Sequence, residues 1–376
     1  MKKIALIGST GSIGVQTLNV VRNNPDKFEI VSLAGGNSRE RFLEQVKEFK
    51  PKVATLINEC NVAEYKETDF YFGEQSFTNA ITEDADIVVV SLVGFTGIIA
   101  VLDAIKKGKN VALANKESLV VGGELVMKLA KVKGVTITPI DSEHSAIWQA
   151  LNFDFNTPFN KIILTASGGA FRDFNPNELA NVTAKDALKH PNWAMGNKIT
   201  VDCATMVNKA FEVIEAKWLY NTNFDKIDVI IHRESIIHSM VEFVDNSVIA
   251  QLSNPSMELP IQIALSYPER FTSSVKPLDF KTIKNLSFEE VDNAKYPCFS
   301  FVIECARKGG IYTALINGAN DMAVELFLKD KIKYSDIEKA LDLAVSTYKG
   351  SYDGTFESLK TANDYAVNLV KTKFGV

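Results

Sequence analysis

The sequence predicts an α/β protein in three parts: a parallel sheet flanked by helices, an α+β middle region and a C-terminal helical bundle. Three observations predict it. Short apolar runs alternate with helically spaced apolar residues through the first third of the chain, as strand–helix–strand units of a parallel sheet do. In the middle, two alternating runs flank Asp245-Asn246, the pattern of an antiparallel hairpin in a half-exposed sheet. The last part holds four segments with apolar residues at helical spacing, enough for a small bundle.

The elements follow in order. Residues 3–7 form a short apolar strand, and 8–14 a glycine-rich turn. Residues 15–23 carry Val15, Leu18 and Val21 at helical spacing, and Pro25 stops that helix. A second strand over 28–33 leads to a second helix over 39–49, closed by Pro51; further strands fall at 53–57, 87–91, 110–113 and 135–140. The most apolar stretch, 87–102, is shorter than the ~20 residues of a membrane span and is interrupted by Gly94 and Gly97. It reads as a buried strand, a turn and the start of a helix. Residues 161–166 form a strand ending in Ser167-Gly168-Gly169, residues 198–220 contain a helix, and the hairpin pairs 236–244 with 247–253. Polar residues 267–293 read as a linker. The four helices of the bundle are 298–308, 313–328, 336–348 and 355–373.

At 376 residues the chain is long enough for two or three domains. Its net charge of −5 argues against a protein that coats nucleic acid, which needs a cationic surface. The four cysteines, Cys60, Cys203, Cys298 and Cys305, form no Cys-x-x-Cys pair, so zinc and disulfide frameworks are not expected and reduced thiols of a cytoplasmic protein are. The N-terminus lacks the apolar stretch and cleavage site of a signal peptide. No membrane association is expected.

Several segments have the residue types of a site. Gly8-Ser9-Thr10-Gly11-Ser12-Ile13-Gly14 follows a strand and opens a helix. Glycines there let main chain approach a pyrophosphate at a helix N-terminus; a plain tight turn has the same composition. No acid follows the second strand, where one would bind a ribose 2′-hydroxyl, and Arg39 stands close to Gly35-Gly36-Asn37-Ser38. The pattern favours NADP over NAD in a Rossmann-like domain. Asn115-Lys116-Glu117 follows the strand at 110–113, at the strand end where such sheets bind ligands; it reads equally as a solvated helix start. Asp141-Ser142-Glu143-His144 follows another strand. In extended chain its two carboxylates share one face and suit Mg²⁺ or Mn²⁺; an exposed acidic helix cap is the alternative. Asn208 and Glu212, at i and i+4 on one helical face, supply a third acid. Ser167-Gly168-Gly169 suits a phosphate, and His190-Pro191-Asn192-Trp193-Ala194-Met195-Gly196 suits a lid or a tryptophan pinned to the core by a proline turn.

Taken together, GSTGSIG at 8–14, ALANKESLV at 112–120, DSEHSAIWQ at 141–149, TASGGAFR at 165–172, the block from His190 to Ala216, and TALINGANDMAV at 313–324 resemble the 1-deoxy-D-xylulose-5-phosphate reductoisomerases. The resemblance covers nearly the whole chain. It implies an enzyme that uses NADPH and a divalent metal, Mn²⁺ or Mg²⁺, to rearrange and reduce 1-deoxy-D-xylulose 5-phosphate to 2-C-methyl-D-erythritol 4-phosphate in isoprenoid precursor synthesis. It implies a Rossmann-like NADPH-binding domain over 1–140, a catalytic metal and substrate domain with a dimerisation sheet over 141–266, a linker over 267–293 and a helical domain over 294–376. A homodimer is expected, with a small sugar phosphate as substrate.

The resemblance also implies roles. Asp141, Glu143 and Glu212 bind the metal. Lys116, Ser142 and Glu143 meet the reacting end of the substrate, and Lys116, Glu143, His190 and Glu212 are the catalytic set. Ser167, His190, Asn208 and Lys209 hold the phosphate end, together with position 203. Thr10, Gly11, Ser12, Ile13, Gly36, Asn37, Ser38, Asn115, Glu117 and Gly196 surround NADPH, and Trp193 and Met195 sit on a closing flap that keeps water from a reactive intermediate.

Two departures stand out. Cys203 replaces a serine usual in the family; a thiol is a weak donor, so substrate binding is expected to weaken by about one net hydrogen bond, ~0.5–1.5 kcal/mol. His232-Arg233-Glu234-Ser235 replaces His-Pro-Gln-Ser and puts the local loop geometry at issue. A semialdehyde or homoserine type of NADP-dependent dehydrogenase would explain the nucleotide loop without three carboxylates. A non-catalytic NADP-binding regulator would leave the acids and the phosphate pocket without use.

Overall fold

Parallel strands buried on both faces need near-continuous apolar runs, and Ile4–Ile7 and Ile87–Val90 supply them: each of these side chains is at most 5% exposed. The structure, a computed structural model, describes residues 1–193 and 195–375. Along the chain run β1 (Lys2–Ile7), α1 (Ser12–Asn23), β2 (Phe28–Ala34), α2 (Arg39–Phe49), β3 (Val53–Leu56), β4 (Asp69–Phe72), β5 (Ile87–Val90), α3 (Thr96–Lys106), β6 (Asn110–Leu113), α4 (Glu117–Lys133), β7 (Ile137–Pro139) and α5 (Ser142–Ala150). Then come β8 (Phe159–Ala166), α6 (Ala184–Ala187), α7 (Asn197–Ala204), α8 (Val207–Leu219), β9 (Ile227–Ile231), β10 (Ile237–Phe243), β11 (Val248–Leu252), α9 (Glu258–Ser266), β12 (Glu289–Glu290), α10 (Pro297–Lys308), α11 (Tyr312–Leu328), α12 (Ser335–Thr347) and α13 (Phe356–Phe374). None of these helices is long and apolar enough to cross a membrane.

The chain divides into two compact units that interleave in sequence. The first holds Met1–Ser118, Val126–Ser145 and Ser256–Lys276; the second holds Leu119–Leu125, Ala146–Pro255 and Pro277–Val376. The expected linker at 267–293 is thus shared, its first residues lying in the first unit and the rest in the second.

In the first unit a parallel sheet has the order β4-β3-β2-β1-β5-β6-β7. The chain builds outward from β1 to β4, then resumes at β5 on the other side of β1. That reversal makes a crevice at the carboxyl ends of β1 and β5, where open sheets of this kind bind ligands. Ile4, Leu6, Leu33, Val89 and Ile140 share the core beneath it. The distant helix α9 returns to pack on α1, and Asn19 Nδ2 donates to Glu258 Oε1 at 3.1 Å.

The second unit has a mixed sheet in the order β11-β10-β8-β9-β12. The expected hairpin is present as antiparallel β10 and β11, and β8 pairs with β9 in parallel. The single helix expected over 198–220 is two: Met206 adopts the left-handed conformation (φ 61°) and separates α7 from α8. Helices α10 to α13 form the expected bundle, with α11 against α7, α12 and α13 and α10 against α8. Lys198 Nζ ties α7 to α11, lying 3.0 Å from carboxylate oxygens of both Asp202 and Asp321.

Candidate active site

The first unit builds a candidate nucleotide loop from main chain. Gly8 has φ +97°, and a Cβ on it would lie 2.8 Å from the carbonyl of Ser91, the residue after β5. A Cβ on Gly14 would stand 2.2 Å from the Gly8 carbonyl, so the first turn of α1 closes on the loop only with glycine there. Gly11 is different: its nearest neighbour would be 3.4 Å away, and it is exposed with Ser12, while Thr10 and Ile13 are half-buried. The loop is fixed from below by Gly8 and Ser9 N–H, which both donate to Ala34 O at 2.9 Å. After β2, a Cβ on Gly36 would meet nothing within 4 Å, and Asn37, Ser38 and Arg39 are exposed beside it. Two residues absent from the sequence reading hold this loop: Gln45 Nε2 donates to Ser9 O at 3.0 Å and Arg41 to Thr10 O at 3.3 Å. Both lie on α2, two and six residues beyond Arg39, the cation the sequence drew attention to.

Asn115, Lys116 and Glu117 follow β6 and are all buried, which removes the solvated-helix reading. The Asn115 amide donates to Leu92 O at 2.9 Å, Gly94 O at 3.0 Å and Glu117 Oε2 at 2.8 Å, and Glu117 Oε1 accepts from Gly94 N–H at 3.2 Å. These two side chains shape the loop after β5. Lys116 Nζ points the other way, to 3.1 Å from Asp141 Oδ2.

The acidic segment is helical, not extended. Asp141 precedes α5, accepts Ser142 N–H on Oδ1 at 3.0 Å, and its carbonyl accepts Ser145 N–H at 2.8 Å. A short acidic side chain that accepts the first helical N–H outcompetes an extended backbone. The alternation argument for the two carboxylates therefore fails, yet they still converge, with oxygens of Asp141 and Glu143 within 4.8 Å of each other. Ser142 Oγ donates to Glu143 Oε2. Buried His144 flanks Asp141 with Nδ1 3.6 Å from Oδ2.

The second unit carries Asn208 and Glu212 on one face of α8, as the spacing predicts, with Lys209 beside Glu212. Glu212 is 1% exposed; Oε1 accepts from Asn208 Nδ2 at 2.5 Å, and Oε2 pairs with Lys209 Nζ. The break at Met206 allows this: it ends α7 and starts a fresh helix whose first turn holds Asn208 and Lys209.

In the same unit Ser167, Gly169 and His190 come together. Asn192 and Trp193 main-chain N–H groups donate to His190 Nδ1 at 3.3 and 3.0 Å. The ring is therefore the Nε2–H tautomer, and Nε2 donates to Ser167 Oγ at 3.0 Å. Gly169 N–H donates to the same oxygen at 3.2 Å. With both lone pairs of Oγ taken, the hydroxyl proton is left to donate outward. Burial, with the nearby Arg172 charge adding to it, pulls the His190 pKa down to about 4, so the ring is neutral at pH 7. Gly169 (φ +67°) is needed because a Cβ would meet the Cys203 carbonyl at 2.4 Å. Cys203 is half-exposed on α7. Trp193 and Met195 are half-buried, with the Trp193 ring 6.2 Å from that of His238, and Gly196 is exposed at the start of α7. The departure at 232–235 is held by ion pairs and hydrogen bonds: Arg233 pairs with Asp173 and Glu289, and Glu234 accepts from the main-chain N–H and hydroxyl of Ser287.

Three family models match this chain: 1-deoxy-D-xylulose 5-phosphate reductoisomerase over residues 4–123, its C-terminal domain over 137–220, and DXP reductoisomerase C-terminal domain over 252–368. The 1-deoxy-D-xylulose 5-phosphate reductoisomerase of Caldanaerobacter subterraneus subsp. tengcongensis is 47% identical over 365 residues, 96% of each chain. The chain belongs to the 1-deoxy-D-xylulose 5-phosphate reductoisomerase family. The reductoisomerase of Clostridium acetobutylicum is 44% identical over the full length of both chains. Among solved structures, a reductoisomerase in complex with NADPH, fosmidomycin and magnesium is 36% identical with a TM-score of 0.92, covering 100% of this chain and 98% of its own. The Zymomonas mobilis reductoisomerase in complex with NADPH is 33% identical with a TM-score of 0.89, covering 99% of both. The motif resemblance thus extends to the whole reductoisomerase chain and fold.

Proposed function

We propose that this chain converts 1-deoxy-D-xylulose 5-phosphate to 2-C-methyl-D-erythritol 4-phosphate with NADPH and Mg²⁺ or Mn²⁺. The observation that carries the reading is a set of buried or half-buried hard-oxygen donors in a member of this family: Asp141 and Glu143 at the head of α5, and Glu212 on α8. All-carboxylate donors suit Mg²⁺ or Mn²⁺ and not a softer ion. The open space over Gly36 and the tight turn at Gly8 and Gly14 fit a dinucleotide cradle.

Asp141, Glu143 and Glu212 hold the metal. A metal held there would supply Lewis-acid polarisation of a substrate carbonyl, and NADPH would supply a hydride. Lys116 and Ser142 orient the reacting end, Lys116 as a cation already aligned on Asp141. Asn208 and Lys209 hold the Glu212 carboxylate in place through a hydrogen bond and an ion pair. Ser167, His190, Asn208, Lys209 and Cys203 take the phosphate, and binding that remote group supplies energy for closing the Trp193 and Met195 flap. Thr10, Gly11, Ser12, Ile13, Gly36, Asn37 and Ser38 would hold the dinucleotide, with Asn115 and Glu117 shaping the loop after β5 and Gly196 assigned to the same cofactor. The active protein is a homodimer that pairs through the outer sheet edge, where Val248 and Ile249 on β11 are half-exposed; light scattering on the purified protein tests this. The location is the cytoplasm, where four cysteines without a disulfide stay reduced.

The deciding assay follows NADPH absorbance with purified protein, deoxyxylulose phosphate and Mg²⁺ or Mn²⁺. Oxidation that needs all three additions is the expected result. Folded protein that oxidises no NADPH refutes the reading.

A further inference from the structure

Arg172 ends the TASGGAFR block, and no role has yet fallen to it. Its Nη1 donates to three carbonyl-type oxygens on three separate segments: Ser167 O at 3.3 Å, Asn192 Oδ1 at 3.2 Å and Arg233 O at 3.0 Å. Asn192 closes the figure by donating Nδ2 to the same Arg233 carbonyl at 2.9 Å. The Arg233 carbonyl is a fixed point, because its own side chain is pinned by Asp173 on one side and Glu289 of β12 on the other. The backbone makes room for Arg172 at Gly168 (φ +80°), where a Cβ would stand 2.8 Å from Arg172 Cβ.

We propose that Arg172 is a positioning residue that anchors the root of the flap and, through it, aims the imidazole of His190 at Ser167. The proposal rests on the reading above that Ser167 and His190 receive the substrate phosphate. The route is short. Arg172 holds the Asn192 side chain, and the main-chain N–H groups of Asn192 and Trp193 hold His190 Nδ1. That leaves Nε2–H on Ser167, whose carbonyl Arg172 holds from behind. A guanidinium suits the task because its charge is permanent and it carries Nη1 one bond further from the main chain than a lysine ammonium reaches, with Nε turned to Asp173 at 3.7 Å; a lysine restores the charge but not that reach. The Arg172 charge also contributes, after burial, to keeping His190 neutral, and a charged ring would donate from Nδ1 toward two N–H groups that now donate to it.

The test is steady-state kinetics, with a pH profile of kcat/KM, on Arg172→Gln, Arg172→Lys, Asn192→Ala and Ser167→Ala. Arg172→Gln is expected to raise the KM for the sugar phosphate about tenfold, the loss of roughly one charge-assisted hydrogen bond, with the KM for NADPH unchanged. Its acid limb should move up in pH, toward the ordinary histidine value. Arg172→Lys should return the acid limb and not the KM. Asn192→Ala should raise the KM several-fold with the acid limb in place; it carries the test if circular dichroism shows Arg172→Gln to be unfolded. A KM that stays at the wild-type value in the Arg172 or Asn192 variants while Ser167→Ala raises it overturns the proposal. So does full recovery of the KM by lysine. An unchanged KM in Ser167→Ala instead overturns the phosphate assignment itself.

Discussion

The loop at 8–14 in the first unit and the cluster of Ser167, Gly169 and His190 in the second, both proposed above to receive phosphate, are built by opposite means. The loop works by lacking side chains: Gly8 and Gly14 leave main chain where a single methyl would collide. The cluster works by ordering side chains, so that every hydrogen bond to Ser167 Oγ runs inward. A backbone cradle has nothing to titrate, whereas the second holds an imidazole whose pKa is about 4. One task thus has a pH-blind solution and a pH-sensitive one in the same chain.

The largest expected effect separates the two halves outright. Glu212→Gln should lower turnover by roughly a thousandfold, the rate equivalent of losing several kcal/mol of charge stabilisation, while NADPH still binds by fluorescence titration. Equal loss of both would mean a folding defect and erase the distinction. Next is the backbone cradle. Gly14→Ala places a methyl 2.2 Å from the Gly8 carbonyl and should cost about 1–3 kcal/mol of stability by overpacking, with NADPH affinity falling at least about tenfold by the same arithmetic. Gly11→Ala, whose neighbour is 3.4 Å away, should melt like wild type; equal damage at both sites would show that close approach is not what the glycines provide.

The pH contrast comes third. Since the folded pKa of His190 is below its ordinary 6.5, the unfolded chain takes up the proton first, and its contribution to stability is complete above about 6.5 and drains away as pH falls toward about 4. Wild-type protein should therefore lose a few degrees more of melting temperature than His190→Gln between pH 7 and 4.5, on the order of 2–4 °C for a chain of this size. Identical slopes would mean the ring is not held neutral. The smallest effect is at Cys203. Cys203→Ser should lower the KM for the sugar phosphate by about two- to tenfold, the worth of one net hydrogen bond, and an unchanged KM would remove position 203 from the phosphate site.

Legibility in the sequence followed the same divide. The strands β1, β2, β5 and β6 and the helix α2 were readable because buried parallel strands are continuous apolar runs and because proline closes helices. The edge strand β4 was not, since Asp69–Phe72 is half in solvent and lacks a long apolar run. Nor was α9, a nine-residue helix with Pro260 in its first turn that returns to the first unit from far along the chain. Among the site residues, the i, i+4 spacing of Asn208 and Glu212 sufficed for their shared face. The helical start at Asp141 depended on which N–H groups that carboxylate satisfies, and the strand before it suggested the wrong continuation. The His190 tautomer depended on two main-chain N–H groups that no spacing rule reveals, and Arg172 on carbonyls from three segments.

The one-way order of those hydrogen bonds has a consequence for ligand choice. From the amides of Asn192 and Trp193 through both ring nitrogens of His190 to Ser167 Oγ, each group passes a hydrogen in the same direction. What emerges at the end is a hydroxyl hydrogen, and Lys209 adds only more hydrogens. At Ser167 and Lys209 the proposed phosphate pocket therefore counts lone pairs. Tetrahedral oxyanions of equal size are interchangeable to it: a phosphonate or sulfate isostere of the substrate should be accepted, whereas a carboxamide or sulfonamide of the same bulk, bringing hydrogens of its own, should be turned away.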